Sequence, residues 1–104
     1  MTIDRVSIIG AGAWGTALAL IAARAGRQVT LFVRRSELAA EIAAQHENAD
    51  YLPGVVLPAE IVVTTDLPKA LAAEAVLYAQ PAQHLRAFCA MARSSWHGNA
   101  ALVL

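Results

Sequence analysis

The run VSIIGAGAWGTALALIAARAG, residues 6–26, constrains this chain more than any other stretch. Its first 18 residues, 6–23, carry no charge, which is the length at which a membrane-crossing helix becomes a candidate. Gly10, Gly12 and Gly15, with Ser7 and Thr16, dilute it too far for a spanning segment. A secretory signal would need a basic start, yet MTIDR carries both Asp4 and Arg5. The stretch divides instead into three local preferences. RVSII is a β-branched run of strand length, GAG is a turn, and AWGTALALIAARAG is an alanine-rich helix closing on Gly26 as its C-terminal cap. It reads as strand, turn and helix.

In that setting each glycine acquires a task. Gly10 permits a tight turn off the strand, Gly12 leaves room for a ligand to approach the backbone, and Gly15 lets helix and strand pack closely. The free amides of the helix start and the positive end of its dipole then face whatever anion sits there. G-x-G-x-x-G alone is weak, since an ordinary βα turn can carry it. Here it follows a strand, opens a helix and is followed by a second strand, QVTLFV at 28–33, which is the setting of a dinucleotide site.

The tip of that second strand bears on cofactor choice. An acidic residue there usually binds the adenosine ribose hydroxyls of NAD. This chain has Arg34, Arg35 and Ser36 instead, and Glu37 already belongs to the next helix. Two guanidiniums suit a 2′-phosphate, which favours NADP(H), with NAD(H) also open. The alternative is a solvated corner without a ligand.

Beyond it, Ser36 is placed to cap a helix ending near Gln45, with Leu38 and Ile42 on its inner face. The loop HENADYLPGVVLPAEI leads to a third strand, IVVTT at 61–65. Asp66 caps a short helix at 67–73, with Pro68 in its first turn. A fourth strand at 75–79 stops at Gln80-Pro81, and Leu85, Phe88, Cys89 and Ala92 follow on one helical face. The last residues, AALVL, read as a fifth strand. Such alternation predicts an α/β fold: a Rossmann-like, doubly wound parallel sheet, here truncated after the fifth strand. The first strand should be central, with the second and third on one side and the fourth and fifth on the other. The crevice then lies between the first and fourth strands, flanked by residues 79–81.

Composition agrees. The chain has 104 residues, 58% of them hydrophobic, and its eight basic and eight acidic residues cancel. That balance gives no pull toward nucleic acid or anionic lipid. Cys89, the lone cysteine, allows no internal disulfide, fits the reducing cytoplasm, and reads as a small buried hydrophobe. His46, His84 and His97 have no metal-ligand spacing.

The segments GAGAWGTALA, FVRR, HENADYLPGVVLPAEIVVTTDL and AQPAQHLR together resemble the soluble NAD(P)-dependent glycerol-3-phosphate dehydrogenases. The most specific is H-E-N-x-x-Y-L-P-G followed by L-P: His46, Glu47, Asn48, Tyr51, Leu52, Pro53, Gly54, Leu57 and Pro58. The resemblance implies reversible hydride transfer between a nicotinamide cofactor and dihydroxyacetone phosphate or sn-glycerol 3-phosphate, a step that supplies the glycerol of bacterial phospholipids. Position by position it puts Ala13 and Trp14 at the cofactor turn, Arg34 and Arg35 at the adenosine ribose, and Tyr51 near the cofactor. Ala13 stands where many members have serine or asparagine, and Gln80 replaces an apolar residue. The family's first catalytic lysine would come just past Leu104, and its helical substrate domain is absent from these residues. No catalytic residue is expected here, and Lys69 matches no catalytic position. A stand-alone NAD(P)-binding module without catalysis is the other reading, and homodimerisation stays open.

Overall fold

In the computed structural model the described residues are 3–96 and, as backbone, 101–103. The chain follows β1 (Arg5–Ile9), α1 (Ala13–Arg24), β2 (Gln28–Phe32), α2 (Ser36–Gln45), β3 (Val62–Thr64), α3 (Leu67–Ala70), β4 (Ala75–Tyr78), α4 (Leu85–Ala92) and β5 (Ala101–Val103). A 3-10 turn, Ala82–His84, leads into α4. All strands are parallel, in the order β3-β2-β1-β4-β5. This is the Rossmann-like doubly wound order expected from the sequence, with β1 central.

Residues 6–9 of β1 are buried on both faces, as a central parallel strand requires. Val6 and Ile8 pack with Ala19 of α1 and Leu38, Ala39 and Ile42 of α2. Ile9, facing the other way, packs with Ala70, Leu71, Val76 and Phe88. Ser7 shares that second face, and its buried hydroxyl donates to the Ala70 carbonyl, so the one buried polar side chain in the strand is satisfied. The helix α1 ends as expected around Gly26: the Gly26 amide donates to Ala23 O and the Arg27 amide to Ala22 O. Those two bonds are a Schellman closure, with Gly26 at φ +83°.

Several expected boundaries move. Ser36 is the first residue of α2 and makes no capping bond; Arg35 occupies the cap position. The helix ends at Gln45 because His46 turns left-handed, at φ +55°. Asp66 does cap α3, accepting from the Lys69 amide at 3.3 Å. That helix covers Leu67–Ala70 only, not 67–73, because Glu74 must already rejoin the sheet. The Glu74 amide donates to Arg5 O, and its carboxylate accepts from the amides of Arg5 and Asp4. Those amides, Arg5 first, hold the Glu74 carboxyl below the ordinary carboxylate range. The third strand is Val62–Thr64 and not 61–65, since the Asp66 amide turns back onto Thr64 Oγ1. In α4, Phe88 and Ala92 are buried, but Cys89 is exposed. It lies on the flank of the apolar stripe, so the reading of a buried cysteine is wrong. Of the expected fifth strand, Ala101–Val103 form β5; Ala100 and Leu104 lie outside the described residues, as does His97.

No helix among the described residues is long and apolar enough to cross a membrane.

Candidate nucleotide-binding cleft

Winding reverses between β1 and β4, and their carboxyl ends leave a crevice there. Gly10 opens the turn at φ +115°, its amide donating to Phe32 O at 3.1 Å. A Cβ at Gly10 would meet Gln80 Cγ at 2.7 Å and Ala79 O at 3.0 Å. One at Gly15 would lie 1.9 Å from Gly10 O. The turn is thus pressed between α1 and the end of β4, and only glycine fits at both points. Gly12 is the opposite case: a Cβ there meets nothing within 4 Å. Its surroundings are open cleft.

Gly12 is also the N-cap of α1 and supplies no side-chain capping bond, and the first turn holds no acidic residue. The Thr16 amide donates to Gly12 O; the amides before it have no intrahelical acceptor. Unpaired amides at the positive end of a helix dipole form a ready anion site. The residues present therefore fit a pyrophosphate, with open space where it would approach.

The cleft holds about 380 Å³ and is lined by Gly10, Ala11, Gly12, Val33, Arg34, Arg35, Leu38, Tyr51, Ala79, Gln80, Pro81 and His84. Gly10, Gly12, Arg34, Arg35 and Tyr51 are thus brought together. Gly15 is buried beneath them, while Ala13 and Trp14 stand exposed on the first turn of α1 and do not line the cleft. The two arginines differ. Arg35 Nη2 lies 3.9 Å from Asp50 Oδ2, a half-exposed pair. Among the described residues Arg34 makes no ion pair. At the end of β4, outside the cleft lining, Tyr78 packs against Phe88 with its ring tilted by 46°, and its hydroxyl donates to Pro81 O at 3.3 Å. Burial, reinforced by the nearby Cys89, pushes the phenol pKa up. A larger cleft of about 680 Å³ lies at the other end of the strands, beside Arg5, Thr30 and Lys69. It is the wrong end of a doubly wound sheet for a nucleotide.

The loop after α2 supplies what the sequence did not reveal. Its base closes where the Leu57 amide donates to His46 O at 2.7 Å, and the Glu47 carboxylate accepts from the Gly54 amide at 3.0 Å. Leu57 is buried in the core. Asn48 is fully buried, and its side-chain nitrogen donates to Ala11 O at 2.6 Å and Thr16 Oγ1 at 2.9 Å. No sequence signal marks these partners, 37 and 32 positions away. Ala79, Gln80 and Pro81 flank the cleft, as the strand order implies, and His84 lies beside them.

These features define a Rossmann-like α/β domain with a glycine-rich βα turn at its switch point. Residues 5–104 match the family model described as NAD-dependent glycerol-3-phosphate dehydrogenase N-terminus. The chain belongs to that family. It is 52% identical over 103 residues to glycerol-3-phosphate dehydrogenase [NAD(P)+] of Rhodospirillum rubrum, covering 98% of this chain and 30% of that protein. With the enzyme of the same name from Paramagnetospirillum magneticum it is 45% identical, over 96% of this chain and 36% of the other. The crystal structure of glycerol-3-phosphate dehydrogenase from Coxiella burnetii superposes with a TM-score of 0.89 at 29% identity, covering 96% of this chain and 31% of that one. The chain thus spans about a third of the length of the curated relatives it matches.

Proposed function

We propose that these residues form the cofactor-binding part of a dehydrogenase that interconverts dihydroxyacetone phosphate and sn-glycerol 3-phosphate. NADP(H) is the favoured cofactor and NAD(H) an accepted one. The family match supports the substrate pair, and the observation that carries the cofactor role is the contrast within the glycine turn: closed at Gly10 and Gly15, open at Gly12. That arrangement suits a pyrophosphate held by the first-turn amides of α1, with Ala13 and Trp14 beside it on the exposed rim. Arg34 and Arg35 would bind the ribose end, and Tyr51 would shield it from water. When bound, the nicotinamide supplies or accepts the hydride. The residues described here bind and orient the cofactor, and none is assigned to proton transfer. The lysine and the substrate-binding helices that the family uses are proposed to lie in sequence beyond these 104 residues. The activity is proposed to serve phospholipid-precursor synthesis in the cytoplasm.

Calorimetric titration of the chain with NADPH and with NADH tests the reading. Saturable binding, tighter for NADPH, is the expected result. A chain that is folded by circular dichroism and binds neither dinucleotide overturns it.

A further inference from the structure

Asn48 lies on a loop, yet its side chain is as buried as any in the sheet. Its amide orientation is unambiguous, because a carbonyl 2.6 Å away can only accept. The same nitrogen reaches Thr16 Oγ1, so one side chain ties the loop both to the glycine turn and to the first turn of α1. The backbone around Asn48 is fixed in turn: its carbonyl accepts from Leu52 and Tyr51 amides at 2.8 and 3.3 Å.

The bonded carbonyl belongs to Ala11, the residue between the two glycines of the turn. The peptide joining Ala11 to Gly12 is planar and trans, so its C=O and N–H point in opposite directions. Drawing the carbonyl inward to a buried Asn48 turns the Gly12 N–H outward. Gly12 is the residue at which the cleft is open. From this geometry we infer that Asn48 is a positioning residue, which presets the Gly12 amide toward an anionic ligand before that ligand arrives. It touches no ligand itself. Glycine flanks Ala11 on both sides, and a turn so free needs an external clamp to hold one peptide orientation. Affinity gained this way comes from reduced ordering on binding and adds no contact. Asn48 Oδ1 has no hydrogen-bond partner, so the side chain is held by its donors alone.

The inference rests on the dinucleotide reading above, and the test separates the two. Asn48→Asp keeps the shape and removes the donors. Near pH 8 it should weaken NADPH binding about tenfold or more while the circular dichroism spectrum is retained. Acidification, by protonating the introduced carboxyl, should restore a donor to the Ala11 carbonyl and narrow the gap to the unaltered chain. An effect confined to packing would not follow pH in this way. Affinity within about twofold of the unaltered chain at both pH values overturns the inference and leaves the cofactor reading standing. Failure of the folded, unaltered chain to bind NADPH overturns the cofactor reading, and the inference falls with it. Should Asn48→Asp not fold, the unaltered chain decides by NMR. Slow exchange of the Asn48 side-chain amide protons, with a Gly12 amide signal that shifts on NADPH addition, supports the inference. Rapid exchange of those protons sinks it.

Discussion

Two βα turns stand side by side at the same end of the sheet, and they offer opposite kinds of binding surface. The turn from β1 into α1 is GAGAWG, without a charge; the turn from β2 into α2 is VRRS, with two. The first works by what its residues lack. Side chains are missing where backbone must touch backbone, and missing again where a ligand must reach an amide. The second works by what its side chains carry, on a backbone that asks for nothing unusual. On the proposed reading, errors in the first strike folding or access, whereas errors in the second strike only affinity and cofactor choice.

The largest effect should come from Gly15→Ala. Its Cβ would sit 1.9 Å from Gly10 O, backbone against backbone, with no flexible side chain to yield. Overpacking of this kind costs about 1–3 kcal/mol or more, a large share of a small domain's stability. A marked drop in the urea midpoint is expected, and an unchanged midpoint would show that the turn can relax.

Gly12→Ala should divide stability from binding. Backbone at φ −73° suits any residue, and the added methyl meets no protein atom. Alanine is a poorer cap than glycine, but it restricts the unfolded chain by about 0.4–1 kcal/mol, so the two roughly offset. The urea midpoint should stay put while dinucleotide affinity falls more than about tenfold by calorimetry. Retained affinity would break the contrast between the two glycines.

The second turn should respond in affinity alone, with no change in stability. Replacing Arg34 and Arg35 with alanine removes charge-assisted bonds worth about 1.5–3 kcal/mol, or roughly 10–100-fold in NADPH affinity, and should leave NADH binding near its original value. Arg34 alone should account for most of it, because Arg35 is already engaged with Asp50. Equal losses for both cofactors would refute a role at the 2′-phosphate.

The same division explains what the sequence makes legible. Glycine spacing, β-branched runs and the Asp66 cap are local signals, and from them follow the strand order and the Gly26 closure. The Ser36 cap failed because the turn delivers Arg35 into that position first. Cys89 sits at the margin of its helical face, where periodicity cannot tell inside from outside. The tie from Asn48 to Ala11 and Thr16 is invisible for a different reason. It is a contact between remote segments, and the motif that contains Asn48 marks the residue without naming its partners.

Assembly order follows from the pairing of β1 with β4. Asp4 and Glu74, joined by a hydrogen bond, stand 70 positions apart, and Gly10 waits as long for the wall that Ala79 and Gln80 provide. A chain emerging from the ribosome can complete the helix α1 early, but its glycine turn stays open on one flank until most of these residues have been made. Non-local pairing of this kind slows folding. The nucleotide cleft is then among the last features of this region to close, although its defining motif is among the first to be synthesised.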